Sequence, residues 1–247
     1  MLHGGQQDAF DLTFRVPSEC AREVASGVAD IGIIPSVELN HHAYGRVRGL
    51  GIASRGMVRS ILLISSKPFS EIRTLAADVS SRTSVALTRI ILARRYGVDP
   101  LLISQPPDLA PMLSVADAAL IIGDPALRID PQSAGPHVLD LGAEWTAMTG
   151  LPMVFAIWAG RKESITPEVE AVFRASYEYG RDHLEDIVRL ESGPRGIPPE
   201  LARRYLSEHI ICEIGSAESE GLELFLRYAR AINEALRFDS ARTALIK

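Results

Sequence analysis

The stretch "DVSSRTSVALTRIILARRYG", Asp78 to Gly97, crowds hydroxyl and charged side chains into its first positions and then turns into an apolar helix. The helix predicted over about Ser81 to Tyr96 has Arg94 and Arg95 in its last turn and Gly97 as its stop, as the helix dipole and the left-handed cap favour. On either side lie apolar runs of strand length, "SILLIS" (Ser60 to Ser65) and "LLIS" (Leu101 to Ser104). The short helix "DLAPMLSVA" and the strand "AALIIGD" (Ala118 to Asp124) continue the series. Strands alternating with helices through short connections predict an α/β chain built on parallel sheet.

Working outward to the N-terminus, "AFDLTFRVPS" alternates, with Phe10, Leu12, Phe14 and Val16 on one face, which is strand periodicity. "SECAREVASG" then reads as a helix with Ser18 as N-cap and Gly27 as stop, followed by the strand "ADIGIIPS". Towards the C-terminus, the helix "AEWTAMTG" precedes the strand "PMVFAIWAG" (Pro152 to Gly160), and beyond Arg161 the texture is helical. Thr166 caps and Pro167 opens a helix whose apolar positions run Val169, Val172, Phe173, Tyr177, Leu184 and Ile187; "GPRGIPPE" breaks it. Two further helices are expected near Pro199 to Glu208 and Ser219 to Phe238, the last with an apolar stripe of Leu222, Phe225, Ala229, Ile232 and Leu236 that reads as core contact.

With 247 residues and no flexible linker, two lobes joined by continuous strands are expected, with "MVRSILLIS" and "MVFAIWAGR" as the crossings. Lobe 1 then comprises residues 1–59 and 159–247, lobe 2 residues 60–158, and a cleft between them suits a small ligand. A formal net charge of -5, from 26 basic and 31 acidic residues, argues against a nucleic-acid binder. Cys20 and Cys212 and the six histidines show no metal-ligand spacing. No segment reaches the roughly 18 apolar residues of a membrane helix, and "MLHGGQQDAF" lacks the pattern of a signal peptide, so a cytoplasmic protein is expected.

Ligands of parallel sheets sit beyond the carboxyl ends of the strands, and four segments place small polar residues there: Ser36, Ser60, Ser80 to Ser84, and Gly123 with Asp124. Ser81, Arg82, Thr83 and Ser84 open a helix, so a carboxylate or phosphate can take backbone N–H bonds from Thr83 and Ser84 and hydroxyl bonds from Ser81 or Thr83. Ordinary N-capping accounts for one such serine. Asp124 either closes a turn or serves to orient a hydroxyl or act as acid or base. No nucleophile–base pair or phosphate loop is visible, so these residues suit a binding domain as well as an enzyme.

In this order and spacing, "PSECAREVASGVADIGIIPSVEL", "GLGIASRGMVRSILLIS", "VSSRTSVALTRIIL", "PPDLAPML", "DAALIIGDPAL" and "DLGAEWTAMTGLPMVFAIWAGR" resemble the chorismate dehydratases of the futalosine route to menaquinone. The resemblance implies a type II periplasmic-binding-protein-like fold, α/β with mixed or parallel sheets flanked by helices, in a cytoplasmic hydro-lyase. That enzyme converts chorismate to 3-[(1-carboxyvinyl)oxy]benzoate and water without metal or organic cofactor, with the substrate's own enolpyruvyl carboxylate as base. It implies that Ser81, Thr83 and Ser84 bind a substrate carboxylate, Arg82 balances charge, Ser36 and Ser60 face the ligand from the other lobe and the hinge, Gly123 permits close approach, and Asp124 holds the C4 hydroxyl as it leaves. Ser81 and Asp124 are thus the expected catalytic residues. The alternatives are a non-catalytic small-carboxylate-binding protein and the sister enzyme of the same route, which is expected to use a histidine; none of the six histidines lies in a polar collar. One departure is a "YLN" strand and loop that usually precede the segment matching "MLHGGQQDAFDL", whose Asn is expected to touch substrate; weak or no turnover is expected without it.

Overall fold

A computed structural model describes residues 4–6, 9–78 and 81–244, with side chains through residue 232; Ser80, Leu236 and Phe238 of the sequence reading therefore lie outside the described residues or side chains. The described strands form two sheets. The first has the order β1–β8–β2–β9, from β1 (Ile31–Pro35), β2 (Gly45–Ser54), β8 (Met153–Gly160) and β9 (Ile211–Glu213). The second has the order β5–β4–β6–β3–β7, from β3 (Ile61–Ser65), β4 (Thr74–Ala77), β5 (Leu101–Ser104), β6 (Ala118–Ile122) and β7 (His137–Asp140). Helices flank both, giving a mixed α/β architecture.

Among the described strands only β4 with β5 and β4 with β6 pair in parallel; β8 enters between β1 and β2 antiparallel to both. The expected parallel unit at the N-terminus is thus corrected. Hydrophobic period reports which face a residue takes, not which strand lies beside it. The strand expected over Phe10 to Val16 is absent as well. Phe10 packs on Phe173 with ring centroids 5.3 Å apart, whereas Phe14 is 68% exposed and no neighbour pairs with this segment among the described residues. Helix α1 (Pro17–Ser26) begins one residue before Ser18, with Val16 at the N-cap and Pro17 in the first turn, because proline's φ is already helical and its missing N–H is not needed there. Gly27 closes it in the left-handed conformation, as expected.

The crossings between sheets also differ from expectation. β2 ends at Ser54 and β3 starts at Ile61, so residues 55–60 form a bend rather than a continuous strand. The bend is pinned by Asp140, whose carboxylate accepts the N–H of Val58 (2.9 Å) and of Arg59 (2.6 Å) and also caps α5 (Leu141–Thr149) through Ala143 N–H. Arg59 takes a left-handed φ of 66°, and its guanidinium bonds the carbonyls of Ala126, Leu127 and Ile129. The second crossing is α5 itself, and all of β8, including Met153 to Trp158, sits in the first sheet.

Helix α2 (Arg82–Ile91) continues as a π-helical turn, Leu92–Tyr96, and ends at Gly97. α3 (Leu109–Val115) and α4 (Gly123–Arg128) follow β5 and β6. C-terminal to β8 come α6 (Pro167–Asp182), α7 (Leu184–Glu191), α8 (Pro199–Arg204) with a π-helical turn Tyr205–His209, and α9 (Ser216–Ala244). Thr166 accepts from Val169 N–H and Pro167 sits in the first turn of α6, as the sequence predicts. One apolar core joins the sheets: Leu87, Ile90 and Ile91 of α2, Trp145 of α5, Phe155 of β8 and Phe225 of α9 pack with Leu63 and Leu75. The helix stripe read as core is therefore core at Leu222, Phe225 and Ala229.

Candidate functional site

The register of the second sheet gathers the polar segments on one edge. Ala77 pairs with Leu120, Ile61 with Ile122 and Leu62 with Asp140, so the exit of β4 into α2, the exit of β6 into α4 and the entry to β3 lie side by side. Facing this edge is the end of β1. There the chain turns into a 3₁₀ segment, Ser36–Asn40.

Ser36 is fully buried, and its hydroxyl donates to Val154 O at 2.7 Å. Its oxygen can therefore accept from Thr83 Oγ1, 3.4 Å away, while Thr83 Oγ1 itself accepts the N–H of Val37 at 3.2 Å. These contacts join the first sheet to the first turn of α2. Arg82 adds an ion pair to Glu38 (2.8 Å), in which the carboxylate side chain is 4% exposed and the guanidinium side chain 51% exposed. At the start of α2, Ser81 occupies the cap position but makes no side-chain bond to the helix amides. Ordinary N-capping therefore does not account for this serine, and the positive end of the helix keeps its capacity for an anion. Ser81, Thr83 and Ser84 are all buried.

A second group lies farther along the edge. The Ser60 carbonyl accepts Gly123 N–H at 2.8 Å, and Ser60 Oγ accepts the Tyr205 hydroxyl at 3.1 Å. Gly123 holds a φ of 66°, open to glycine without strain, and so turns β6 sharply into α4. Asp124, in the first turn of α4 rather than in the strand, pairs with Arg195 at 3.1 Å. Asp124, Arg195 and Tyr205 line a cavity of about 300 Å³ whose other walls are mostly apolar, from Leu127, Val188, Ile197 and Leu206. Burial pushes the Tyr205 phenol above its ordinary pKa, and the nearby Asp124 charge acts in the same direction. The phenol remains a neutral donor at physiological pH.

The structure thus brings Ser36 to Thr83, and Ser60 to Gly123 and to Tyr205, which lines the cavity of Asp124. No hydrogen bond joins the two groups among the described residues. Neither Thr83 nor Ser84 lines the cavity beside Asp124. Sequence reasoning missed Glu38, Tyr205 and Arg195. Glu38 was detectable as an acid set in the apolar run after β1, but Tyr205 and Arg195 come from helices read only for their apolar faces.

The family model described as "Menaquinone biosynthesis" matches residues 1–231. The chain belongs to this family. Among curated proteins, the chorismate dehydratase of Thermus thermophilus is 29% identical over 218 residues, covering 81% of this chain and 79% of its own. That of Campylobacter jejuni is 26% identical over 236 residues, covering 95% and 90%. Among solved structures, a protein from Archaeoglobus fulgidus superposes with a TM-score of 0.71 at 18% identity, covering 90% of this chain and 86% of its own. The periplasmic aliphatic sulphonate binding protein of Escherichia coli gives 0.60 at 16% identity, covering 90% and 80%. The chain therefore has a periplasmic-binding-protein-like fold, as the sequence resemblance implied, and its relatives within the family are named as enzymes. Among the described residues no helix is long and apolar enough to cross a membrane.

Proposed function

We propose that this protein is a cytoplasmic chorismate dehydratase, a hydro-lyase that turns chorismate into 3-[(1-carboxyvinyl)oxy]benzoate and water. The observation that carries the reading is the start of α2, uncapped by Ser81 and facing Ser36 across the meeting line of two sheets, in a chain of the menaquinone biosynthesis family. A carboxylate bound there takes amide and hydroxyl bonds from Thr83, Ser84 and Ser81, each charge-assisted contact contributing about 1.5–3 kcal/mol. Arg82, half exposed, balances its charge.

The two sheets act as two lobes, hinged at residues 55–60 and α5, and substrate enters between them. Thr83 is bonded to Val37 and within reach of Ser36, so entry parts this contact and exchanges it for substrate oxygens. In the reaction the substrate's own enolpyruvyl carboxylate takes the C3 proton, the C4–O bond breaks as the ring becomes aromatic, and the departing hydroxyl leaves with that proton as water. Asp124 accepts the C4 hydroxyl's hydrogen bond before it leaves, and Gly123, without a side chain, lets the ring approach the backbone. Catalysis then rests on orientation and on fixed dipoles at the developing charge, with aromatisation as driving force.

The test is incubation of the purified chain with chorismate, following the diene absorbance and the aromatic ether. Loss of one matched by gain of the other is expected. Binding of chorismate without its conversion would replace the enzyme by a small-carboxylate-binding protein.

A further inference from the structure

Of the hydroxyls on the ligand-facing edge, Ser36 and Thr83 already have acceptors in reach: Ser36 donates to Val154 O, and Thr83 lies against Ser36 Oγ. Ser60 is different. Its carbonyl is tied to Gly123 N–H and its Oγ is used as an acceptor by Tyr205, yet its own hydroxyl hydrogen meets no acceptor among the described residues although the residue is 4% exposed. A buried hydroxyl held as acceptor by one neighbour has its proton directed elsewhere, and a buried donor without a partner destabilises until one is supplied.

We propose that Tyr205 is a positioning residue for the substrate site: by donating to Ser60 Oγ it aims the Ser60 proton at an anionic oxygen of the bound substrate. Three features support this. The phenol comes from a π-helical turn, Tyr205–His209, from which its hydroxyl reaches Ser60 Oγ at 3.1 Å and whose end is fixed by Ile210 N–H to Tyr205 O at 3.0 Å. The ring's wall of the cavity is shared with Asp124, so the C-terminal helices, and not only the two sheets, complete the site. The phenol is also kept neutral by burial, so it retains near neutral pH the hydrogen that it donates to Ser60 Oγ. This inference rests on the dehydratase reading.

The experiment is a double-mutant cycle on the full chain, with chorismate as substrate, comparing wild type, Tyr205→Phe, Ser60→Ala and the double variant. Tyr205→Phe keeps the ring that fills the cavity wall. It is expected to raise KM by about 3- to 10-fold with kcat changed less than about 2-fold, since the bond it orients is made to bound substrate before and during the reaction. Ser60→Ala is expected to raise KM by about 10-fold or more, and Tyr205→Phe made on top of it to add nothing, because the group it positions is gone. If Tyr205→Phe has the same effect with and without Ser60, or lowers thermal stability without changing KM, the positioning role is overturned while the dehydratase reading stands. If wild type does not convert chorismate, both fall together.

Discussion

At the scale of single residues, Asp117 is an electrostatic anchor outside the candidate site. Its carboxylate pairs with Lys67 at 2.6 Å and accepts the N–H of Arg73 (2.9 Å) and of Thr74 (3.2 Å), which lower its pKa to about 2. A carboxyl whose folded pKa is depressed stabilises the fold above its unfolded pKa near 3.8, and that contribution fades as pH falls through 2. Asp117→Asn is therefore expected to lower stability by about 1–3 kcal/mol at pH 7, with the difference from wild type shrinking between pH 4 and pH 2; denaturant titrations at several pH values measure it. A difference that stays constant down to pH 2 would remove the ionic role. At this scale the sequence was only partly legible. Hydroxyl-rich strand ends pointed to Ser36, Ser60 and Thr83 as candidates, because small polar residues stand out against apolar strands, and the structure brings Ser36 to Thr83. Glu38, Arg195 and Tyr205 were not read as site residues, because their roles depend on partners 44, 71 and 145 positions away.

At the scale of elements, α5 passes close over the bend between the two sheets and leaves no room for a side chain at Gly142. A Cβ added at Gly142 would lie 2.6 Å from both the Gly56 carbonyl oxygen and Ser54 Oγ, and the backbone oxygen cannot rotate away. Gly142→Ala is expected to cost about 1–3 kcal/mol despite the better helix propensity of alanine, read as a lower thermal midpoint. An unchanged or raised midpoint would mean that the bend yields freely. The helices and strands with strong period or clear caps, α2, α6, β3 and β6, were legible in the sequence. The segment Phe10 to Val16 was not, for an alternating pattern needs a neighbouring strand to become one, and here Phe10 finds Phe173 on α6 instead. The short strands β4 (TLAA) and β7 (HVLD) lack the run of bulky apolar residues that made the equally short β5 (LLIS) legible.

At the scale of the whole molecule, two sheets meet along a line where one offers the turn after β1 and the other its polar edge. The apolar core that joins them through α2, α5 and α9 holds their relative placement, while the contacts at the meeting line itself are a few hydroxyl bonds and the Glu38–Arg82 pair. Such contacts are weak enough for a ligand to replace. On the proposed function, chorismate is bound and dehydrated along this line. That reading is tested most directly by measuring conversion of chorismate to 3-[(1-carboxyvinyl)oxy]benzoate by wild type beside Thr83→Val, which keeps the side-chain volume and removes the hydroxyl. The account predicts stoichiometric conversion by wild type and a kcat/KM at least about 10-fold lower for the variant at unchanged fold, the loss of one charge-assisted bond. Equal kcat/KM in the two proteins would place the chemistry elsewhere and contradict it.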